Sequence, residues 1–480
     1  MSFTSIQFLL FVGAVVLLYQ ASRVAPYRRV VRTLANLVFI ASFATDLRAA
    51  LPLLGFLAWS YLWVELARRQ RSTTMLALGI VAVLAPFILL KRFSFLDGLP
   101  SLPFPYLVVG LSYILFRVLH LMIDAHGGEL ERRVPVEPFF NYTCDFLCFV
   151  SGPIQRFQDY LADRQAPDPG LDDQTVFAAF SRIIAGFIKI AVISAIANYA
   201  FLNLSERLLL PRPDVAGVRL AALYGLTVIA YIYYLYYNFS GYMDVVIGIG
   251  RLLGQRLPEN FDRPFTARNF LEFWQRWHMT LSNWFKLYLF NPLVGALAGR
   301  FPSRAAAPYL GVIAFFVTFG VMGVWHGTTT VFVIYGLLMG AGASANKLWQ
   351  VALTRQLGKQ GYRRLAENPL YLYGCRGLTY AYFAVAVTCL WVDMRQLAEL
   401  LQALGVIGLV GAFLMIAAGA AAAMAAWDAL AGGVRRLIGA RPAIGRHLVL
   451  GNVLLAARVL LILGVMSFFH RAPEFVYKAF

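Results

Sequence analysis

Apolar runs long enough to cross a hydrocarbon core recur from one end of this chain to the other. Inside lipid the backbone must satisfy its own N–H and C=O groups, and a helix does so within each segment. The runs are Phe3–Gln20, Ala49–Leu66, Met75–Leu90, Pro105–Met122, Ala179–Leu202, Leu220–Tyr237, Pro308–Trp325, Thr330–Ala345, Gly377–Val392, Gly405–Ala426 and Leu448–Phe469. Shorter segments at Thr33–Thr45 and Phe139–Pro153 either span, re-enter or lie at the surface. At about 20 residues per helical span, the expected fold is an all-α polytopic membrane protein with roughly 11 to 13 membrane segments. Composition agrees, with 60% hydrophobic and 14% charged residues and a mean hydropathy of +0.66.

The net charge of +18 is spread over short loops between the runs, clearest at Arg23–Arg32, Arg68–Arg71, Arg355–Arg364 and Arg435–Arg446. Positive loops held on the cytoplasmic side beside anionic lipid explain this pattern, and no nucleic-acid partner is expected. The N-terminus then lies outside and these loops inside, a scheme that Arg132–Arg133 fits and Lys91–Arg92 does not. The first apolar run is expected to remain as a helix, because it lacks a basic leader and a small-residue cleavage site. One integral membrane domain is expected, organised as N-terminal helices over 1–160, a core over 175–345 and C-terminal helices over 346–480. The polar loop Asp163–Gln174 separates the first two.

His326 lies in the apolar run Pro308–Ala341, with no Asp, Glu, Lys or Arg between Arg304 and Lys347. An ionisable side chain at membrane depth is costly and marks a functional site by default. Its bland alternative is an imidazole bonded between helices. Acyl, phosphoryl or proton transfer in a bilayer each needs a proton acceptor of this kind. Trp325 precedes it, and Gly327 permits close approach of another backbone or a ligand. Gly250-xxx-Gly254, Gly323-xxx-Gly327 and Gly336-xxx-Gly340 have the spacing of close helix contacts.

Pro258–Leu293 carries the densest pattern. Asn269 reads as an N-cap with Glu272 as its capping-box partner, opening an amphipathic helix over 269–291 that Pro292 ends. Phe270, Phe273, Trp274, Trp277, Leu281, Trp284, Phe285 and Tyr288 form one face, and Glu272 and Arg276 pair at i,i+4. Such a helix is too polar to span and too aromatic to be solvated, so it lies in the interface or re-enters. His278 sits at the edge of the aromatic face, one turn before Ser282, and either anchors the helix at headgroup level or belongs to a site.

Two further groups follow. Asn238 to Asp244 places a carboxylate between apolar runs, either orienting a histidine or paired with an arginine such as Arg251 or Arg276, a structural ion pair being favoured. Ser151 to Arg156 places a fixed positive charge after a break, suited to a phosphate or carboxylate or to topology alone. Cys144 and Cys148 share a face if Tyr142–Val150 is helical and read as packing residues; no metal site is expected. There is no Gly-x-Ser-x-Gly elbow and no P-loop. His120 and Asp124 have three residues between them, not the four of the soluble glycerolipid acyltransferase signature.

At Asn260–Leu293 together with Trp325-His326-Gly327 the sequence resembles the membrane-bound O-acyltransferase family, in particular its bacterial envelope branch of teichoic-acid D-alanyl transfer proteins and alginate O-acetyltransferases. Phe239-Ser240-Gly241-Tyr242, Ser151-Gly152-Pro153-Ile154 with Arg156, and Phe475-Val476-Tyr477 match in the family's order. The resemblance implies helices ringed about a central tunnel, donor entering from the cytoplasm and acceptor from outside. His326 matches the family's histidine and His278 its second recurrent polar position. Met339 stands where members often carry a further histidine, and Val294-Gly295-Ala296 replaces a Gly-Gly-Asn-Arg turn, which tilts the reading toward the D-alanyl branch.

The expected activity is therefore transfer of a small acyl group, D-alanyl or acetyl, from a cytoplasmic thioester to a hydroxyl of an extracytoplasmic envelope polymer or polysaccharide. No bound cofactor is expected; the donor is acyl carrier protein phosphopantetheine or acyl-CoA. Membrane lipid, the carrier, the glycan acceptor and an accessory envelope protein are the expected partners, in the inner (cytoplasmic) membrane. His326 is the expected general base, kept neutral by apolar surroundings, and His278 polarises the carbonyl or positions the donor. Asp244, Trp325, Ser282, Arg276 and Asn238 support them, and Arg156, Trp274 and Trp277 contact substrate. The rival class is a polymer transporter or flippase with a His326–Asp244 proton relay; its mark, paired inverted repeats of broken helices, is not visible in the sequence.

Overall fold

The structure is a computed structural model and describes residues 5–469 except 45, 97, 99–101, 131, 167–169, 211–216, 304 and 439–447. Most of Arg435–Arg446, part of the Asp163–Gln174 loop and all of Phe475-Val476-Tyr477 lie outside the described residues. The described residues are helical without strands, as expected of an all-α polytopic protein. In chain order the helices are α1 (Ile6–Gln20), α2 (Ala25–Ala41), α3 (Leu47–Gln70), α4 (Thr73–Lys91), α5 (Leu111–His126), α6 (Val136–Thr143), α7 (Phe157–Gln165), α8 (Asp173–Ile188) and α9 (Ala195–Leu209). They continue as α10 (Val218–Leu252), α11 (Phe270–Arg276), α12 (Met279–Phe285), α13 (Asn291–Arg300), α14 (Ala307–His326), α15 (Thr330–Glu367), α16 (Pro369–Ala386), α17 (Met394–Ile438) and α18 (Leu448–Phe469).

Among the described residues, seven stretches are long and apolar enough to cross a membrane: Arg48–Gln70, Thr73–Lys91, Asp173–Leu209, Val218–Leu252, Ala307–His326, Thr330–Glu367 and Met394–Val434. Ile6–Gln20 and Val453–Ser467 are shorter apolar helices. Leu17 and Val81 leave 75% and 64% of their surface uncovered, tolerable for a helix whose outer solvent is lipid. Gly405 breaks α17 with φ 58°, at the point where the apolar run was expected to begin. Gly358 breaks α15 in the same way, at φ 70°.

Among the described residues the chain separates into two compact units: residues 5–187 and 241–259 form the first, and 188–240 and 260–469 the second. In the first unit, Phe139–Pro153 is neither a span nor a surface helix. It is the short α6 followed by buried irregular backbone, allowed at depth only where protein satisfies its polar groups. Arg117, 2% exposed, donates to the carbonyls of Tyr142, Thr143 and Cys148, each at 2.9 Å. Asn36 Oδ1 accepts from the Phe146 N–H at 2.8 Å, and the Tyr242 hydroxyl donates to the Leu147 carbonyl at 3.0 Å. Cys144 caps α6 and Cys148 lies in the turns beyond it, so no helical face joins them; both thiols are buried and free.

In the second unit, α14 and α15 form an antiparallel hairpin joined by Gly327–Thr329. Gly323 and Gly336 are pressed together at the crossing: a Cβ at Gly323 would lie 2.6 Å from the Gly336 Cα. Gly340 faces Phe316 further along the same seam. Gly323 and the Gly336-xxx-Gly340 pair are thus helix contacts, as their spacing suggested, whereas Gly327 lies beyond the end of α14.

Candidate active site

His326 closes α14, and its ring is 97% covered by protein. Gly327 then runs extended, and a Cβ there would overlap the Phe332 ring at 2.1 Å, so any larger residue in the turn after His326 would have to displace that ring. The helix has to stop where the imidazole is, which leaves the ring at a helix end rather than on a helix flank. His326 Nδ1 lies 2.7 Å from the Met322 carbonyl oxygen. A carbonyl only accepts, so Nδ1 carries the proton and, in the neutral ring, the lone pair is on Nε2. Trp325 and Tyr335 pack edge-on against the ring at 4.9 and 5.5 Å between centroids.

His278 is placed by a break that helical periodicity conceals. The expected helix over 269–291 is in fact three pieces. α11 starts as foreseen, with Asn269 Oδ1 accepting from the Glu272 N–H at 3.0 Å. Glu272 reaches back to the Arg268 N–H rather than to that of Asn269, and pairs with Arg276 at 2.6 Å. At Trp277 the backbone turns extended, and His278 adopts the left-handed conformation at φ 44°, ψ 53°. That geometry costs on the order of 1 kcal/mol for a non-glycine residue. Asn260 offsets it. Its carbonyl accepts from the Met279 N–H at 2.9 Å, and its Oδ1 accepts from the Thr280 N–H at 3.0 Å and the Thr280 hydroxyl at 2.9 Å. The same Oδ1 lies 3.2 Å from His278 Nδ1, so this imidazole also carries its proton on Nδ1 and its lone pair on Nε2.

Pro292 does not end the helix. A wide π-helical turn at Lys286–Phe290 precedes it and α13 continues to Arg300, because a proline in the first turn of a new segment forfeits no helical hydrogen bond.

Burial holds the His278 pKa well below 6.5, and a proton placed on His326 would lower it further, so His278 is neutral near neutral pH. The sign for stability follows. Below pH 6.5 the unfolded chain binds a proton that folded His278 resists, so stability falls as pH falls. The expected result is a melting temperature in detergent that drops between about pH 7 and about pH 5. His278→Asn tolerates the left-handed backbone and should flatten part of that slope; an unchanged slope would remove His278 from its origin.

Other expected residues divide. Asn238 is 1% exposed on α10, and Phe239 beside it packs edge-on to His278 at 4.9 Å. Trp274 is buried against Phe319 and its indole N–H has no hydrogen-bond partner, as suits a lining residue. Trp277 is enclosed by Tyr236, Phe261, Phe273 and Phe383 and is a packing residue, not the substrate contact expected of it. The Ser282 hydroxyl donates to the Trp277 carbonyl at 3.2 Å and so supports the break. In the first unit, Asp244 pairs with Arg182 at 3.0 Å, not with Arg251 or Arg276, and Arg182 also holds Glu259 at 2.6 Å. Arg156 is engaged by Asp124 at 3.1 Å and Glu129 at 2.6 Å, which binds it internally rather than to a phosphate or carboxylate ligand. Among the described residues no group of three or more His, Cys, Asp or Glu is arranged as metal ligands.

Residues 129–374, more than half the chain and including both histidines, match the family described as MBOAT, membrane-bound O-acyltransferase family. The chain belongs to that family. It is 30% identical over 306 residues to the teichoic acid D-alanyltransferase of Bacillus subtilis (strain 168), covering 62% of this chain and 74% of that protein. It is 28% identical over 350 residues to the teichoic acid D-alanyltransferase of Streptococcus thermophilus, covering 70% and 81%. A protein named "Probable alginate O-acetylase AlgI" from Pseudomonas syringae pv. tomato is 29% identical over 334 residues, covering 65% and 59%. This membrane-bound O-acyltransferase is thus a multi-pass membrane enzyme whose relatives carry D-alanyl-transfer and O-acetylation names.

Sequence reasoning passed over Asn260, Arg182 and Tyr335. Asn260 sits in Pro258–Arg263 between two prolines, where an asparagine reads as a turn residue. Its buried amide, with three acceptor contacts to one segment, appears only once the break at His278 is folded.

Proposed function

We propose that this enzyme transfers a small acyl group, D-alanyl or acetyl, from a cytoplasmic thioester to a hydroxyl of an extracytoplasmic envelope polymer. The donor is a carrier-protein phosphopantetheine arm or acyl-CoA, and the enzyme works in the cytoplasmic membrane. One observation carries the reading: a buried imidazole at a helix end whose Nδ1–H is committed to the Met322 carbonyl, so that Nε2 is the base. The acceptor hydroxyl gives its proton to His326 Nε2 as its oxygen attacks the thioester carbonyl carbon. The tetrahedral intermediate then expels the thiolate, which takes the proton from the imidazolium, leaving an ester, a thiol and neutral His326.

His278 takes a different part from polarising the carbonyl. Its N–H is held by Asn260 and its Nε2 is an acceptor, so in the neutral form it orients the hydroxyl or the donor. A donor beside His278 is Asn260 itself, whose Nδ2 is buried without a partner and would be available to a developing oxyanion. The D-alanyl alternative rests on the two teichoic acid relatives and acetyl on the alginate relatives.

The test is the purified enzyme in vesicles supplied with labelled D-alanyl carrier protein, acetyl-CoA and a glycan or teichoic acid acceptor. Appearance of base-labile label on the acceptor supports the reading; intact thioester with both donors overturns it. Asn260→Ala should lower thermal stability by about 2–4 kcal/mol, since it removes several hydrogen bonds worth about 0.5–1.5 kcal/mol each. At temperatures where it stays folded, kcat should fall on the order of 100-fold with KM little changed.

A further inference from the structure

The first unit holds a cavity of about 380 Å3 lined by seven arginines and one carboxylate, Asp163, that no step of acyl transfer uses. It lies among the end of α1 at Tyr19, the start of α2, and the stretch from Arg251 to Arg256 after α10. Some arginines of this unit are matched by acids, as Arg68 is by Glu65 and Arg182 by Asp244 and Glu259. On this cavity Arg28 and Arg32 donate to uncharged groups. Arg28 donates to the Ser22 carbonyl at 2.9 Å and the Gln20 amide oxygen at 3.2 Å. Arg32 donates to the Leu253 carbonyl at 2.8 Å and the Tyr19 hydroxyl at 3.1 Å. Both lie over the Tyr19 ring, at 4.5 and 5.0 Å.

These contacts fix the direction of the guanidiniums. Asp163 is itself occupied, accepting from the Arg256 N–H at 3.0 Å and Gln155 at 3.3 Å. Arg164 on this wall is paired with Glu137 at 3.0 Å, but crowding the other six arginines around one void beside a single lining carboxylate is costly unless an anion shares it. The void is also at a telling level. The apolar stretches Ile6–Gln20 and Val218–Leu252 both end at it, so it sits where hydrocarbon gives way to headgroups. A cavity of this size admits a phosphate with its glycerol substituents. Basic pockets at that depth beside helix ends recognise lipid phosphates.

We propose that this cavity binds the phosphate of an anionic phospholipid headgroup, independently of the reaction at His326. The probe is native mass spectrometry of the full-length protein in detergent with phosphatidylglycerol, phosphatidylcholine or inorganic phosphate added. The wild type should retain phosphatidylglycerol over phosphatidylcholine. Replacing the exposed Arg29, Arg251 and Arg256 together by Gln should weaken that retention on the order of 100-fold. These side chains are exposed, so the variant should fold, which its melting temperature verifies. Arg32→Gln alone should weaken retention about fivefold and checks the inner wall. Equal retention of the two lipids, or full phosphatidylglycerol retention by the triple variant, overturns the proposal. So does a site that inorganic phosphate fills while phosphatidylglycerol does not.

Discussion

Replacing His326 by alanine should lower kcat for acyl transfer by about 10²–10⁴-fold, the usual worth of a general base, while KM for the donor changes little. The imidazole donates to the Met322 carbonyl and packs on Trp325 and Tyr335, so the substitution also leaves a small void. That costs about 1–3 kcal/mol of stability, enough to lower the melting temperature but not to explain the rate. His326→Gln separates the two effects. Its amide N–H can restore the bond to Met322 and part of the volume but supplies no base, so stability should recover while rate does not. Single-turnover transfer by reconstituted enzyme is the measurement, and a His326→Gln variant turning over at the wild-type rate would sink the mechanism. Addition of imidazole should restore some activity to the alanine variant if the void admits it.

Replacing Gly336 by leucine should abolish folding or shift the hairpin enough to inactivate the enzyme. A Cβ at that position lies 2.5 Å from the Phe319 carbonyl oxygen and 2.8 Å from the Gly323 Cα. Both are backbone atoms in an opposing helix, so no rotamer change relieves the clash and the helices must separate. Overpacking of this type costs about 1–3 kcal/mol or more, and here it also displaces the α14 end that carries His326. Gly311 and Gly320 lie on the same helix with nothing within 4 Å of an added Cβ. Gly320→Ala should therefore be neutral or slightly stabilising, by about 0.5–1 kcal/mol. Thermal unfolding in detergent of the two variants compares a pressed glycine with an open one; equal melting temperatures would mean that α14 and α15 do not cross at Gly323 and Gly336.

Much of the site was legible because placing polar groups at depth is expensive. His326 stands out in a run without charge, and Trp325 and Gly327 flank it. The N-cap at Asn269 and the Glu272–Arg276 pair were readable because their partners lie within one turn. Asp244 is the counter-example. A carboxylate between apolar runs announces that it needs a partner, yet Arg182 lies 62 residues earlier, and nothing in local spacing favours it over Arg251. Arg156 misleads in the opposite direction, since a fixed charge after a break resembles a ligand contact until Asp124 and Glu129 fold against it.

Membrane class and helical architecture follow from the sequence alone, and the histidine proposed as the base stands out there, because lipid forbids unsatisfied backbone and penalises unexplained charge. The break at Trp277–His278 does not. The aromatic periodicity runs straight through it with neither glycine nor proline to mark it. The tertiary structure decides it through Asn260, whose hydrogen bonds to Met279, Thr280 and His278 stabilise a left-handed residue that local propensity disfavours. Local rules reach as far as one helical turn, and the bonds that place His278 span some twenty residues of chain.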